Sequence, residues 1–158
     1  MRRVNLGQPS DRKPPFKFSA FTRVGFSDTD AQGIVYYGRY LPYFDLARVE
    51  YERHLGLLDL EVGEEEFVMR ASSVVYEAPA RFDDLLEVFV RTKRIGRSSM
   101  TNEYCVFRVA DDLLMCTAEQ TLVLVSLADR CPTPIAAEYR SSVAGFEGAN
   151  LELAVPAE

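Results

Sequence analysis

The chain has 158 residues, 47% of them hydrophobic and 27% charged, which suits one globular domain with a real core and leaves no room for a second independent one. Its 24 acidic and 18 basic side chains give a formal charge of −6, a field that argues against general nucleic-acid binding, since phosphate affinity depends on a basic surface. No apolar run is long enough for a membrane helix, and the basic start Met1-Arg2-Arg3 is not followed by an apolar stretch of the secretory kind, so a cytoplasmic protein without membrane insertion is expected.

Residues 1–17 mix Arg, Asp, Lys, Pro, Gly and Ser with almost no apolar periodicity and read as a flexible arm. A domain over 18–148 follows, opening with a strand over 18–26, where Phe18, Ala20, Val24 and Phe26 recur at short period before the polar cluster Ser27-Asp28-Thr29-Asp30. Beyond Gly38, the residues Tyr40, Phe44, Ala47 and Tyr51 fall at the i, i+4, i+7, i+11 spacing of one helix face. A helix of about 16 residues is predicted, roughly 25 Å long, with Pro42 tolerated in its first turn and Gly56 as its stop. Downstream the period shortens. Segments 68–76, 85–94, 99–109 and 113–125 are rich in Val, Leu, Phe, Tyr and Thr and are separated by turn clusters, which predicts four long strands. A short helix over 136–146 and a loose tail over 149–158 complete an α+β fold whose antiparallel sheet wraps the one long helix.

The three cysteines, Cys105, Cys116 and Cys131, show neither CxxC spacing nor histidine partners, so reduced, buried thiols are expected and no metal. Cys105 and Cys116 flank a hairpin turning near Asp111-Asp112, which in an oxidising compartment would raise the question of a bridge. His54, the only histidine, falls at the end of the predicted helix and reads as a cap or surface residue. Asp45 and Glu50 read as i, i+3 partners of Arg48 and Arg53 and stand in reserve as helix carboxylates.

The most unusual segment is Ser27-Asp28-Thr29-Asp30-Ala31-Gln32-Gly33-Ile34-Val35-Tyr36-Tyr37, two carboxylates just before a glycine loop and the start of the long helix. Turn capping is the plain reading of such a pair. A helix start, however, presents N–H groups suited to an oxyanion or carbonyl oxygen, and a carboxylate nearby is placed to attack or to activate water.

This segment resembles the motif of the hot-dog-fold thioesterases of the 4-hydroxybenzoyl-CoA type, including their bacterial acyl-CoA relatives: Asp, any residue, Asp, two residues, Gly-Ile/Val-Val, then aromatic or His residues and a Tyr, here closed by Tyr40. The resemblance runs on through Leu55-Gly56, Tyr76-Glu77-Ala78-Pro79-Ala80-Arg81-Phe82-Asp83-Asp84 and Gly96-Arg97-Ser98-Ser99, covering residues 18–146. It implies a five-stranded antiparallel sheet around a central helix, and hydrolysis of an acyl-CoA thioester without a cofactor. Asp30 would be the catalytic carboxylate, as nucleophile or general base, and the Tyr37 backbone N–H would polarise the carbonyl. Gly33, Arg94, Arg97, Ser98 and Ser99 would serve substrate and coenzyme A binding, with Arg97 as the best-matched phosphate contact. Relatives carry His or an aromatic residue at the Tyr37 position, and some carry a continuous basic triplet where this chain has Gly96-Arg97-Ser98. Met69, Ser72, Val74 and Met100 are candidates for the acyl pocket. The resemblance also implies a homodimer at minimum, with a homotetramer expected, because each site lies between two chains. A non-catalytic acyl-thioester-binding module is the alternative, and a hydratase or dehydratase a lesser one that lacks its histidine near the helix start.

Overall fold

The computed structural model describes residues 4–58 and 63–153, so residues 1–3 of the expected arm and 154–158 of the expected tail lie outside the described residues. Strands β1 (Gly7–Pro9), β2 (Phe18–Arg23), β3 (Glu65–Tyr76), β4 (Leu85–Ile95), β5 (Ser99–Arg108), β6 (Leu113–Ser126) and β7 (Glu152–Leu153) form one sheet, with helices α1 (Tyr40–His54) and α2 (Ala137–Glu147). The order across the sheet is β1-β2-β4-β5-β6-β3, antiparallel throughout, and β7 adds a short parallel pairing beside the end of β4. The long β3 therefore stands at a free edge.

Among the described residues the sheet has seven strands where five were expected, the additions being β1 and β7. Both fall in segments that read as arm and tail, and neither has the alternation that marks a strand. What holds the arm is the outer face of the sheet. Phe16 is buried against Phe89, whose ring in turn meets Phe107, and Arg12 and Lys13 lie over those two aromatic faces. Arg12 also pairs with the buried carboxylate of Glu87, which accepts a 2.6 Å hydrogen bond from Ser19 as well. Covered by the arm on one face and α1 on the other, β4 is buried along nearly its whole length.

Helix α1 fills the concave face. Tyr40, Phe44, Ala47 and Tyr51 all turn inward as their spacing predicts, joined by Tyr43, and pack on Phe18 and Ala20 of β2, Val88 and Val90 of β4, and Tyr104 and Val106 of β5. Fully burying a side chain such as Phe44 contributes about 1.5–3 kcal/mol. Beyond Leu55 the helix gives way to Gly56 at φ +73°, the left-handed conformation that glycine adopts without strain. A second apolar cluster, with Ile95, Met100, Leu122, Leu124, Ile135 and Val143, seats α2 at the other end of the sheet.

In the β5–β6 ladder Cys105 stands opposite Thr117, and Cys116 opposite Val106. Cys105 and Val106 are neighbours on one strand, so their side chains point to opposite faces, and the two thiols cannot be bridged. Burial pushes the thiol pKa of Cys105 up to about 11 and that of Cys116 up to about 12. Cys131 is exposed, against the expectation of a buried thiol. Among the described residues, no helix is long and apolar enough to cross a membrane and no cluster of His, Cys, Asp and Glu could hold a metal ion.

Candidate active site

The two carboxylates of the Asp-x-Asp segment have different surroundings. Asp28 is largely buried and accepts hydrogen bonds from Arg39 Nε at 2.6 Å, the Gly25 N–H at 2.7 Å and the Tyr43 hydroxyl at 2.9 Å. Burial works against its charge, but Arg39, the Gly25 N–H and Tyr43 outweigh burial and hold its carboxyl below the ordinary range. With its oxygens so engaged, Asp28 is a brace between the loop and α1.

Asp30 sits on a tight turn two residues further on. Its N–H donates to the Ile34 carbonyl at 2.9 Å, and its carbonyl accepts from the Gly33 N–H at 3.0 Å. Gly33 closes the turn at φ +76°, a conformation that would strain a residue with a Cβ by about 1–2 kcal/mol. The Gln32 N–H donates to Asp30 Oδ1 at 2.8 Å, which fixes the carboxylate and leaves Oδ2 without a partner among the described residues. The turn is pinned from behind. Val35 donates to the Ala80 carbonyl at 2.8 Å and Tyr36 to the Asp28 carbonyl at 2.9 Å, and Ile34 bridges Arg81.

Asp30 faces a cavity of about 380 Å³ that it shares with Ile34, Tyr37, Tyr40, Tyr76 and Glu77. Tyr37 opens a 3-10 turn, Tyr37–Arg39, that runs directly into α1, and the first N–H groups of a helix have no acceptor within it. The Tyr76 hydroxyl donates to the Tyr37 carbonyl at 2.9 Å and so ties the end of β3 to this helix start. The Tyr36 and Tyr37 rings lie 4.3 Å apart, and burial raises the Tyr40 phenol to about 12. The site thus joins a held carboxylate, a helix start and an aromatic wall.

The other expected residues lie elsewhere. Arg94, Arg97, Ser98 and Ser99 surround the turn after β4, whereas the Asp30 loop is bridged to residues just before β4, so the two groups flank the opposite ends of an 11-residue strand, roughly 33 Å apart. Within one chain the structure does not bring them together. Gly33 shapes the turn rather than lining the cavity. Met69, Ser72, Val74 and Met100 do not border it either: Met100 is in the second apolar cluster, and Ser72 accepts from Gln120. His54 stacks with Phe18 and Phe146 at the far end of α1, and Asp45 and Glu50 pair with Arg48 and Arg53 as their spacing predicts. Tyr76 and Glu77 stand in the sequence only as part of the family-like segment; it is the strand end before Pro79 that delivers them to the site.

The profile of the thioesterase-like superfamily matches residues 24–143. The chain belongs to that family. It is 31% identical over 128 residues to an acyl-CoA thioesterase, YbgC, of Haemophilus influenzae, covering 79% of this chain and 93% of that one. It is 33% identical over 127 residues to an acyl-CoA thioester hydrolase, YbgC, of Escherichia coli, covering 79% and 92%. Its fold superposes on the 1,4-dihydroxy-2-naphthoyl-CoA thioesterase of Synechocystis with a TM-score of 0.75 at 20% identity, covering 82% of this chain and 96% of that one, which establishes the hot-dog architecture.

Proposed function

We propose that the protein hydrolyses acyl-CoA thioesters, with Asp30 as the catalytic carboxylate. The observation that carries this reading is the Asp30 carboxylate, held by one oxygen and free at the other, facing a cavity that also contains the helix start. The free oxygen either attacks the thioester carbonyl carbon, forming a mixed anhydride as the coenzyme A thiolate leaves, or takes a proton from the water that attacks. In both cases negative charge builds on the carbonyl oxygen, and the Tyr37 N–H stabilises it; one well-aimed donor of this kind contributes about 2.7–4 kcal/mol. No residue here requires a cofactor for that chemistry. The hydratase alternative would need a histidine beside the helix start, and His54 stacks at the opposite end of α1.

The phosphate grip comes from a second chain. Strand β3 is 12 residues long, unpaired along one side among the described residues, and exposes Met69, Val75 and Tyr76 at 45, 53 and 48%. Such an edge is a template for another strand, and a two-fold axis through it pairs β3 with its own copy, antiparallel. Reversing the strand brings the partner's opposite sheet end to Asp30. That end carries the turn with Arg94, Arg97, Ser98 and Ser99, where Arg97 is exposed and able to meet coenzyme A phosphates. A homodimer is therefore the smallest complete unit.

Two measurements test this. Wild-type protein is expected to release free thiol from members of a panel of aryl, short aliphatic and long aliphatic acyl-CoA esters; tight binding of the esters without turnover would favour a binding module instead. Sedimentation equilibrium is expected to give two or four times the 17.9 kDa chain mass, and a monomer that still turns over would refute the shared site.

A further inference from the structure

The turn between β4 and β5 is held from outside by α2 and the segment leading into it. Gly96 and Ser99 close the turn, the Gly96 N–H donating to the Ser99 carbonyl at 2.8 Å, and Arg97 and Ser98 form its tip. The carbonyls of Gly96, Arg97 and Ser98 all accept from other parts of the chain. Arg140, in the first turn of α2, donates from Nη2 to the Gly96 carbonyl at 2.5 Å and to the Arg97 carbonyl at 2.9 Å. The Arg97 carbonyl also accepts from the Ile135 N–H, and the Ser98 carbonyl from the Leu124 N–H, each at 2.8 Å. Arg140 Nε donates to the Ile135 carbonyl at 3.2 Å, so one guanidinium ties the turn to the lead-in of α2. Its planar fork of donors spans these carbonyls in a way that a compact ammonium does not.

Packing of its neighbours delivers Arg140 to this place. Val143 is buried in the second apolar cluster with Ile95 and Met100, which flank the turn, and the Tyr139 hydroxyl donates to Met100 Sδ at 3.3 Å. Gly96 is buried, and Arg140 is the one donor to its carbonyl among the described residues.

Holding carbonyls also aims N–H groups. The peptide bonds of the turn are trans, so each carbonyl and the N–H that follows it point in opposite directions. With the Gly96 and Arg97 carbonyls turned toward α2, the N–H groups of Arg97 and Ser98 face away from it, and neither has an acceptor among the described residues. Successive outward N–H groups form an anion-binding concavity, and the exposed Arg97 side chain stands at the same tip.

We propose that Arg140 is a positioning residue for coenzyme A: it locks the Gly96 and Arg97 peptide planes so that two N–H groups and the Arg97 guanidinium meet the phosphates together. This rests on the reading of the Arg97 turn as the phosphate grip. Arg140 does not itself touch the ligand, because its donors are spent on the carbonyl side of the turn. Aimed backbone donors thereby stand in for the side chains of a basic triplet where this chain has Gly96-Arg97-Ser98. The effect is confined to the phosphates, since the Asp30 cavity of the same chain lies at the other end of β4.

The test compares the acyl-CoA ester that wild-type protein turns over fastest with the pantetheine thioester of the same acyl group, which has no phosphate. Arg140→Gln is expected to raise KM for the coenzyme A ester about tenfold, with kcat within about twofold and both constants for the pantetheine ester unchanged. Calorimetry with free coenzyme A should show the same weakening in Kd, a readout that needs no turnover. Arg97→Gln should repeat the pattern, and the double variant should fall well short of the product of the two single effects, because Arg140 works through the turn that carries Arg97.

Equal losses on the coenzyme A and pantetheine esters would make Arg140 a residue of the fold alone and overturn the proposal. Single effects that multiply in the double variant would overturn it too, by giving Arg140 a grip of its own. An unchanged KM in Arg140→Gln beside a raised one in Arg97→Gln removes the role of Arg140 and leaves the phosphate grip standing. An unchanged KM in both removes the grip and this inference with it. If no ester is hydrolysed, the thioesterase reading falls, and the Kd of coenzyme A for the same variants decides among these outcomes. Should Arg140→Gln not fold, Arg140→Lys, which keeps the charge without the fork, replaces it, with a rise in KM of at least about threefold expected on the coenzyme A ester alone.

Discussion

Asp30→Asn is expected to lower kcat for acyl-CoA hydrolysis roughly a hundred- to ten-thousandfold with little change in folding stability. The two halves of that expectation have separate causes. The amide oxygen of Asn can still accept the Gln32 N–H, the one hydrogen bond the Asp30 side chain makes among the described residues, so the turn keeps its lock. What the amide lacks is the free anionic oxygen needed to attack carbon or to take a proton from water. Substrate binding does not depend on that charge, so KM should move much less than kcat. Asp28→Asn is the contrast. It places an amide where an anion accepts from Arg39, the Gly25 N–H and Tyr43, so its main effect should be a lower melting temperature, with activity falling only as the loop is disturbed. Steady-state kinetics and thermal unfolding of the two variants read this directly, and near wild-type turnover by Asp30→Asn would remove Asp30 from the chemistry.

The distinction between these carboxylates also marks where the sequence stops being informative. Periodicity located the long helix and its inward face, and runs of Val, Leu, Phe, Tyr and Thr between turn clusters located the four long strands; α1, β5 and β6 bury one stripe or one face each, β4 is buried on both faces and β3 stays largely exposed. It could not show β1 or β7, whose three and two residues are too short for a period, nor the docking of Arg12, Lys13 and Phe16, which depends on an outer sheet face assembled from β4 and β5. The Asp-x-Asp segment was visible as a motif, whereas the brace at Asp28 depends on Arg39 and Tyr43 arriving from the turn and helix that follow, and the free oxygen at Asp30 on the tight turn in which the Gln32 N–H holds the other. The basic turn at Arg97 shows the opposite limit. Its residues were readable, but linear order says nothing about the 11-residue strand that places them at the far end of the sheet from Asp30.

A buried acid that no motif announced governs the second large effect, on stability. Glu147 ends α2 fully buried between that helix, α1 and β4, and its Oε2 accepts from the Tyr51 hydroxyl at 3.2 Å and the Thr92 N–H at 3.1 Å while Oε1 has no partner among the described residues. Burial raises its pKa to about 7, against the lowering effects of Tyr51, Thr92, Arg91 and Lys17. In the unfolded chain the same carboxyl titrates near 4.5. The folded state therefore holds this proton more tightly, so the contribution to stability is full below about pH 4.5, declines as pH rises to about 7, and is flat above. A difference of this size corresponds to about 3 kcal/mol across that window. Glu147→Gln keeps the side chain's shape and cannot ionise. Denaturant unfolding of both proteins between pH 4.5 and 8 should show the variant gaining about 3 kcal/mol on the wild type as pH rises, the other carboxylates cancelling in the comparison. If the gap between the two proteins is the same at both ends of that range, Glu147 enters the folded state already ionised and the unpartnered Oε1 must be solvated.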